Sequence, residues 1–330
     1  MMNPYLVTGL EATPNAPLCP HRYAGHDALY VPVDDTDKEF HRFQDTMAAV
    51  GRLTSRGRLA VVAGRQGCGK TSLIHRCAAW LRAELRNAEL TGEIFDLTDS
   101  SAPNRSIMLR MEQVITDLVD HLRDERSGVK AAHIEVLERK LREIEEIEDT
   151  ADREERHLGK VDRVYRNLHE ALPADRILII LLPPSSDIVD EIGKYAGFAR
   201  HPRIVFFAET DHVEDLDRRW ERFSANEAAA LVQLDVGSLK DGDSWAYAQA
   251  RQGTEQDEAD FPLADEETMR RVRRNGVTSI GQLHRLLYGV YEDFRATCSA
   301  NGSSPPSRLR WHHITDYHFR LSHSGPGGAS

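Results

Sequence analysis

The sequence predicts an α/β protein, a three-layer arrangement in which helices cover both faces of a parallel sheet. Three observations carry that expectation. Short apolar runs at 58–63, 177–182 and 203–208 are continuous rather than alternating, the pattern of strands buried on both faces, and 231–236 adds a further strand. Segments with apolar residues three and four apart alternate with those runs, as helices do between parallel strands. A glycine-rich turn leads from the first run straight into a helical segment.

Taken in order, residues 1–40 are rich in Pro, His and Asp and lack periodicity, so they read as an irregular N-terminal arm packed on the main domain. Phe40, Phe43, Met47 and Val50 then define one face of a helix. Residues 58–63 (RLAVVA) give the first strand, about 71–86 a helix, and 93–97 (EIFDL) a second strand. Residues 104–126 are helical, with Ile107, Met111, Val114, Ile115 and Leu118 on one side.

A more charged segment follows at about 131–172, with Ile134, Leu137, Leu141, Ile144, Ile147 and Ala151 as its first apolar positions. Leu158, Val161, Tyr165, Leu168 and Leu172 continue it as a heptad seam, which Glu154 interrupts. This insertion is one long helix or a helical hairpin. It either packs on the body as an amphipathic pair or projects as a coiled coil.

The run at 176–182 (RILIILL) is a third strand, 187–199 a helix, 203–208 a fourth strand and 231–236 a fifth. Beyond Gly237 the character changes. Residues 254–267 hold seven acids in fourteen positions and read as a solvated loop, with Arg270, Arg271, Arg273 and Arg274 close behind. Residues 279–296 are helical, 299–307 form a linker, 308–321 a terminal element, and the final SGPGGAS a flexible tail.

Composition narrows the class. At 330 residues the chain suits about two domains, and 40% hydrophobic residues suffice for a real core. With 42 Lys+Arg against 53 Asp+Glu, the net charge of -11 disfavours duplex binding through a broad basic surface. Cys19, Cys68, Cys77 and Cys298 form no disulfide framework and read as reduced thiols. No Lys or Arg precedes Arg22, and Pro4, Pro14 and Pro17 interrupt the start, so no secretory signal is expected. The longest apolar run is far short of a membrane span. A soluble cytoplasmic protein is the expectation.

One motif carries chemistry. Gly64, Arg65, Gln66, Gly67, Cys68, Gly69, Lys70 and Thr71 fit G-x-x-x-x-G-K-[ST] at every fixed position, between a strand and a helix. The glycines let the backbone curl so that successive N–H groups face phosphate. The helix N-terminus adds partial positive charge. Lys70 brings a point charge to the β- and γ-phosphates, the Thr71 hydroxyl can ligate Mg²⁺, and Ser72 completes the candidate set.

With that loop, an arm before it, further apolar strands and a helical C-terminal segment, the chain resembles the ASCE division of P-loop NTPases. Within it, the chain is similar to the AAA+ type, including origin-recognition-like and signalling (STAND) relatives, over about residues 40–300. The resemblance implies a sheet order of 5-1-4-3-2. It also implies a P-loop domain over 41–236, a helical lid over 237–298, and a linker, terminal element and tail over 299–330. ATP and Mg²⁺ are the implied cofactors, and a homo-oligomer or protein partner the implied assembly. No N-K-x-D base-reading pattern is present, which favours ATP over GTP.

The sequence departs from the family at the third strand, which in relatives ends in the acidic Walker B pair. Here 177–182 leads into Pro183, Pro184, Ser185 and Ser186, with no carboxylate before Asp187. Apolar groups and prolines neither coordinate Mg²⁺ nor accept a proton. That argues against hydrolysis by the usual geometry and leaves phosphate binding intact.

By the resemblance, the end of strand four lies near the phosphates. Glu209 there is a candidate to position water or Mg²⁺, and Thr210 a candidate γ-phosphate sensor; Asp96 and Asp99 are weaker candidates. Arg222, then Arg219, matches the arginine that reaches a neighbouring subunit's nucleotide. In the lid, His284 falls where the family has a sensor arginine, with Arg285 one step away. Cys19, His21 and His26 show no four-ligand zinc set, and His312, His313, His318 and His323 read as surface histidines.

The leading functional reading is an ATP-binding assembly switch or weak ATPase. One alternative is a DNA-associated ATPase, for which Arg270–Arg274 would be the contact. The other is a non-hydrolysing scaffold that uses the helical insertion.

Overall fold

The computed structural model describes residues 3–100, 106–124, 128–145, 153–184, 188–212, 218, 228, 230–253 and 261–323. The chain divides into two compact units. A sheet unit comprises Glu39–Arg65 and Leu73–Asp235; a helical unit comprises Met1–Lys38, Gln66–Ser72 and Val236–Ser330.

The sheet unit holds five parallel strands, β1 (Arg58–Ala63), β2 (Thr91–Asp96), β3 (Arg176–Leu181), β4 (Ile204–Thr210) and β5 (Leu231–Asp235). Their spatial order is β2-β3-β4-β1-β5, the expected 5-1-4-3-2. Among the described residues the helices that accompany them include α1 (Thr36–Met47), α2 (Lys70–Asn87), α3 (Ile107–Leu122), α4 (Ala131–Glu145), α5 (Arg153–Ala171) and α6 (Ile188–Phe198).

The continuous apolar runs are buried on both faces, because helices pack on each side. Phe206 of β4 meets Tyr165 of α5 and Tyr195 of α6, with ring centroids 5.3 and 5.2 Å away. Its neighbour Phe207 faces the other way and meets Phe43 of α1 at 5.6 Å. Burial of such a side chain contributes about 1.5–3 kcal/mol.

The insertion forms two helices, α4 and α5, packed on one another and on α3. Val161, Tyr165, Leu168 and Leu172 of the seam join Ile134, Leu137 and Ile144 in the core shared with the sheet. The seam is therefore packed on the body rather than projecting. Ile147 and Ala151 lie outside the described residues.

Boundaries differ where polar side chains do structural work. α1 begins at Thr36, before Phe40, and its first-turn Glu39 is 3% exposed. That carboxylate accepts from the Asp235 N–H at 3.3 Å and from Arg42 at 3.2 Å, which explains a buried acid the apolar pattern did not signal.

The helical unit contains α7 (Asp243–Gln252), β6 (Leu263–Ala264), α8 (Glu266–Arg274), α9 (Ile280–Asn301), β7 (Arg308–Leu309) and α10 (Trp311–His323). Tyr5 and Val33 of the arm sit in its core beside Leu283, Leu287, Val290 and Tyr291. The acidic stretch is not wholly a loop. Residues 254–260 lie outside the described residues, but 263–264 form β6 and Asp265 caps α8, accepting from the Thr268 N–H at 3.0 Å. Glu266 and Glu267 then occupy the first turn, where the helix dipole favours acids. No described helix is long and apolar enough to cross a membrane.

Candidate nucleotide site

The loop grows out of the buried strand β1. The Gly64 N–H donates to Thr210 O at 3.0 Å, carrying the β1–β4 ladder one residue past Ala63. The chain then turns through Gly67 and Gly69, whose φ values of 80° and 76° are left-handed, a region that favours glycine. Lys70 is the first residue of α2 and 6% exposed. Cys68 is buried, Arg65 and Gln66 are exposed, and Thr71 and Ser72 are half-buried. Ser72 is tied to the arm: its Oγ accepts from the Leu18 N–H at 3.1 Å, and its carbonyl from the Tyr30 hydroxyl at 2.6 Å.

Within the helical unit, the start of α9 lies against this loop. The Gly281 N–H donates to Gly67 O at 2.9 Å. His284, three residues on, has both ring nitrogens engaged. Nε2 donates to Pro14 O at 2.9 Å, so Nδ1 is the acceptor for the Tyr247 hydroxyl at 2.7 Å. Burial pushes its pKa down, and Arg251 adds to that against the bond to Pro14. The downward shift favours the uncharged ring, and both nitrogens are already taken by protein partners. Arg285 is exposed.

In the sheet unit, Glu209 and Thr210 close β4 in register with Val62 and Ala63 of β1, and adjacent strand residues point to opposite faces. Thr210 is 1% exposed and its Oγ1 accepts from the His212 N–H at 3.0 Å. At β3, Ile177 to Leu182 are buried and Pro183 and Pro184 follow.

A cluster that sequence reading had not assembled lies at the end of β2. The Thr98 N–H and hydroxyl donate to Asp96 Oδ1 at 3.0 and 2.6 Å. His75 of α2 places Nε2 3.0 Å from Thr98 Oγ1 and 3.5 Å from Asp96 Oδ2. The signal available was His75, one helical turn after Thr71.

The remaining candidates separate. Arg219 and Arg222 lie outside the described residues. His26 accepts from the Cys19 N–H through Nδ1 and donates to Thr8 O through Nε2, both at 2.9 Å, so both ring nitrogens hold turns of the arm. Arg270 and Arg271 pair with Glu266 and Glu267 one turn back, and Arg273 donates to Leu239 O. His312 and His318 are exposed, whereas His313 is half-buried rather than on the open surface; the His323 side chain lies outside the described residues.

No protein-family model matches this sequence, and no curated protein sequence matches it. Solved structures do. The Aeropyrum pernix ORC1 protein in complex with DNA is 13% identical, with 89% of this chain and 67% of that chain covered and a TM-score of 0.53. The ORC2 protein of the same organism, in its ADPNP-ADP complexes, is 12% identical, with 88% and 68% covered and a TM-score of 0.50. Likeness at these identities concerns the fold. Together with the sheet order, it shows that this chain shares the α/β fold of those two ORC proteins.

Proposed function

We propose that the chain binds ATP with Mg²⁺ at residues 64–72 and acts as a nucleotide-dependent assembly switch or weak ATPase in the cytoplasm. The observation that carries this reading is the paired left-handed turn at Gly67 and Gly69, which delivers Lys70 to the first position of α2. Left-handed turns of this kind gather backbone N–H groups into an anion-binding hollow, and the helix N-terminus favours the same charge. Lys70 adds a full charge for the β- and γ-phosphates. The Thr71 hydroxyl is the loop's oxygen ligand for Mg²⁺, which when bound neutralises phosphate charge.

Slow or absent turnover follows from the third strand. Residues 177–184 present apolar side chains and two prolines where a motor needs a carboxylate. Glu209 is the residue we assign to position water, if turnover occurs, with Thr210 as its neighbouring sensor. Arg285 takes the sensing role in the C-terminal lid, because both ring nitrogens of His284 are bonded elsewhere. Arg222 supplies a finger to a neighbouring copy on assembly.

The ion pairing of Arg270 and Arg271 weighs against DNA as the primary partner, although the ORC1 neighbour was solved on DNA. Burial of the α5 seam weighs against a scaffold built on that surface.

The test is to incubate pure protein with labelled Mg-ATP and identify the nucleotide that stays bound. Lys70→Ala is expected to abolish binding, and unchanged affinity in that variant overturns the reading. Intact ATP after long incubation means a switch without hydrolysis. Bound ADP, lost in Glu209→Gln without loss of affinity, means turnover with an acid from β4.

A further inference from the structure

α9 opens with a capping box. Ser279 Oγ accepts from the Gln282 N–H and Gln282 Oε1 accepts from the Ser279 N–H, each at 3.3 Å. The amide of Gly281 is among the first four N–H groups of the helix, which have no partner within it. Its partner is Gly67 O at 2.9 Å.

The approach is close on both sides. A Cβ on Gly281 would stand 3.0 Å from Gly67 O and 3.4 Å from Gly67 Cα. One on Gly67 would stand 2.8 Å from Ser279 Oγ, and one on Gly69 3.4 Å from Ile280 Cγ2. Gly281 is not among the residues with positive φ, so glycine is required there for space and not for its own dihedrals. Within a helix it costs up to about 1 kcal/mol relative to alanine. The position therefore gives up helix stability for a main-chain contact.

That contact has a direction. In a trans peptide the C=O and the following N–H point opposite ways. Holding the Gly67 carbonyl toward α9 turns the Cys68 N–H away from α9. The left-handed residues Gly67 and Gly69 flank that amide.

We propose that Gly281 is a positioning residue for the phosphate loop: its amide fixes the Gly67–Cys68 peptide and so aims the loop's N–H groups at a phosphate. The inference rests on the nucleotide-binding reading for its ligand and on the main-chain contact for its mechanism. It assigns the link between α9 and the loop to backbone rather than to a charged side chain, at a helix whose His284 has both ring nitrogens engaged by other partners.

The test compares the full-length chain with Gly281→Ala, Gly281→Val and Lys70→Ala. Three readouts are needed: thermal melting, amide hydrogen exchange over residues 66–72 without nucleotide, and equilibrium binding of labelled Mg-ATP. Gly281→Ala should weaken Mg-ATP binding about tenfold, and Gly281→Val more, with no fall in melting temperature for the alanine variant. Faster exchange over 66–72 in the nucleotide-free alanine variant supports the mechanism even if the valine variant fails to fold. Exchange and Mg-ATP affinity equal to the parent in Gly281→Ala would overturn the inference. Absence of Mg-ATP binding in the parent chain overturns the nucleotide reading instead, and the exchange comparison still decides whether Gly281 sets the loop.

Discussion

Phe206 in the sheet unit and Tyr5 in the helical unit are both fully buried, yet their surroundings differ. Phe206 lies among aromatic and aliphatic side chains of β4, α5 and α6. Tyr5 also has aromatic neighbours, Tyr247 and Tyr291, but its hydroxyl accepts from Gln252 Nε2 at 2.9 Å. Gln252 also donates to the Tyr291 hydroxyl, and its Oε1 accepts from the Ala264 N–H. The surroundings of Phe206 are held by burial of continuous apolar strands; those of Tyr5 depend also on polar atoms brought from distant parts of the chain. Around Phe206 the first should respond to lost volume rather than to pH. The second should respond to single hydrogen bonds and to protonation.

The largest expected effect breaks the sheet side of that contrast. Phe206→Ala should cost about 3–5 kcal/mol by denaturant titration, with no pH dependence of its own. A loss that varied with pH would show that polar groups also hold this core.

Next comes Asp34, 1% exposed in the helical unit. Its N–H donates to Asp243 Oδ2 at 3.1 Å, an oxygen that also accepts from the Lys240 N–H at 2.6 Å. Burial pushes the Asp34 carboxyl up to about 7; the like charges of Asp243 and Asp35 add to this, and Thr36 opposes it. The unfolded value is about 3.9. The folded chain therefore keeps a proton that the unfolded chain releases. The contribution to stability is whole below about pH 4 and is lost as pH rises through 7. Melting at pH 5 and pH 8 should differ more for the parent than for Asp34→Asn, and equal slopes would remove Asp34 from the account.

The smallest effect sharpens the same contrast. Tyr247→Phe removes the donor to His284 Nδ1 and should cost about 1 kcal/mol, several-fold less than Phe206→Ala.

Legibility followed the same division. β1 could be placed to the residue because RLAVVA is apolar and bounded by an arginine and a glycine, and the phosphate loop because its residue types are fixed at short spacing. The sheet order came from the resemblance that the loop carried. The α4–α5 packing was harder, since a heptad seam suits both a buried pair and a projecting coiled coil. Residues of the helical unit's core were not legible as neighbours. Pro14 and His284 are separated by 270 positions, and no local pattern joins a carbonyl to an imidazole across that distance. The position of His284 in the resemblance suggested a phosphate contact; the structure gives its two ring nitrogens to Pro14 and Tyr247 instead. The close approach of Gly281 to the Gly67 carbonyl has no signal in the sequence and needed coordinates.

The arm meets α9 at Pro14 and the phosphate loop at Leu18, four residues apart. Trimming the chain to begin at Val31, a natural choice if the opening stretch is taken for a disposable leader, would remove both contacts in one cut. It would also take Tyr5 out of the core and the Tyr30 hydroxyl off Ser72. A shortened protein of that kind would report on a loosened phosphate loop, so a weak nucleotide signal from it would describe the trimming rather than the protein.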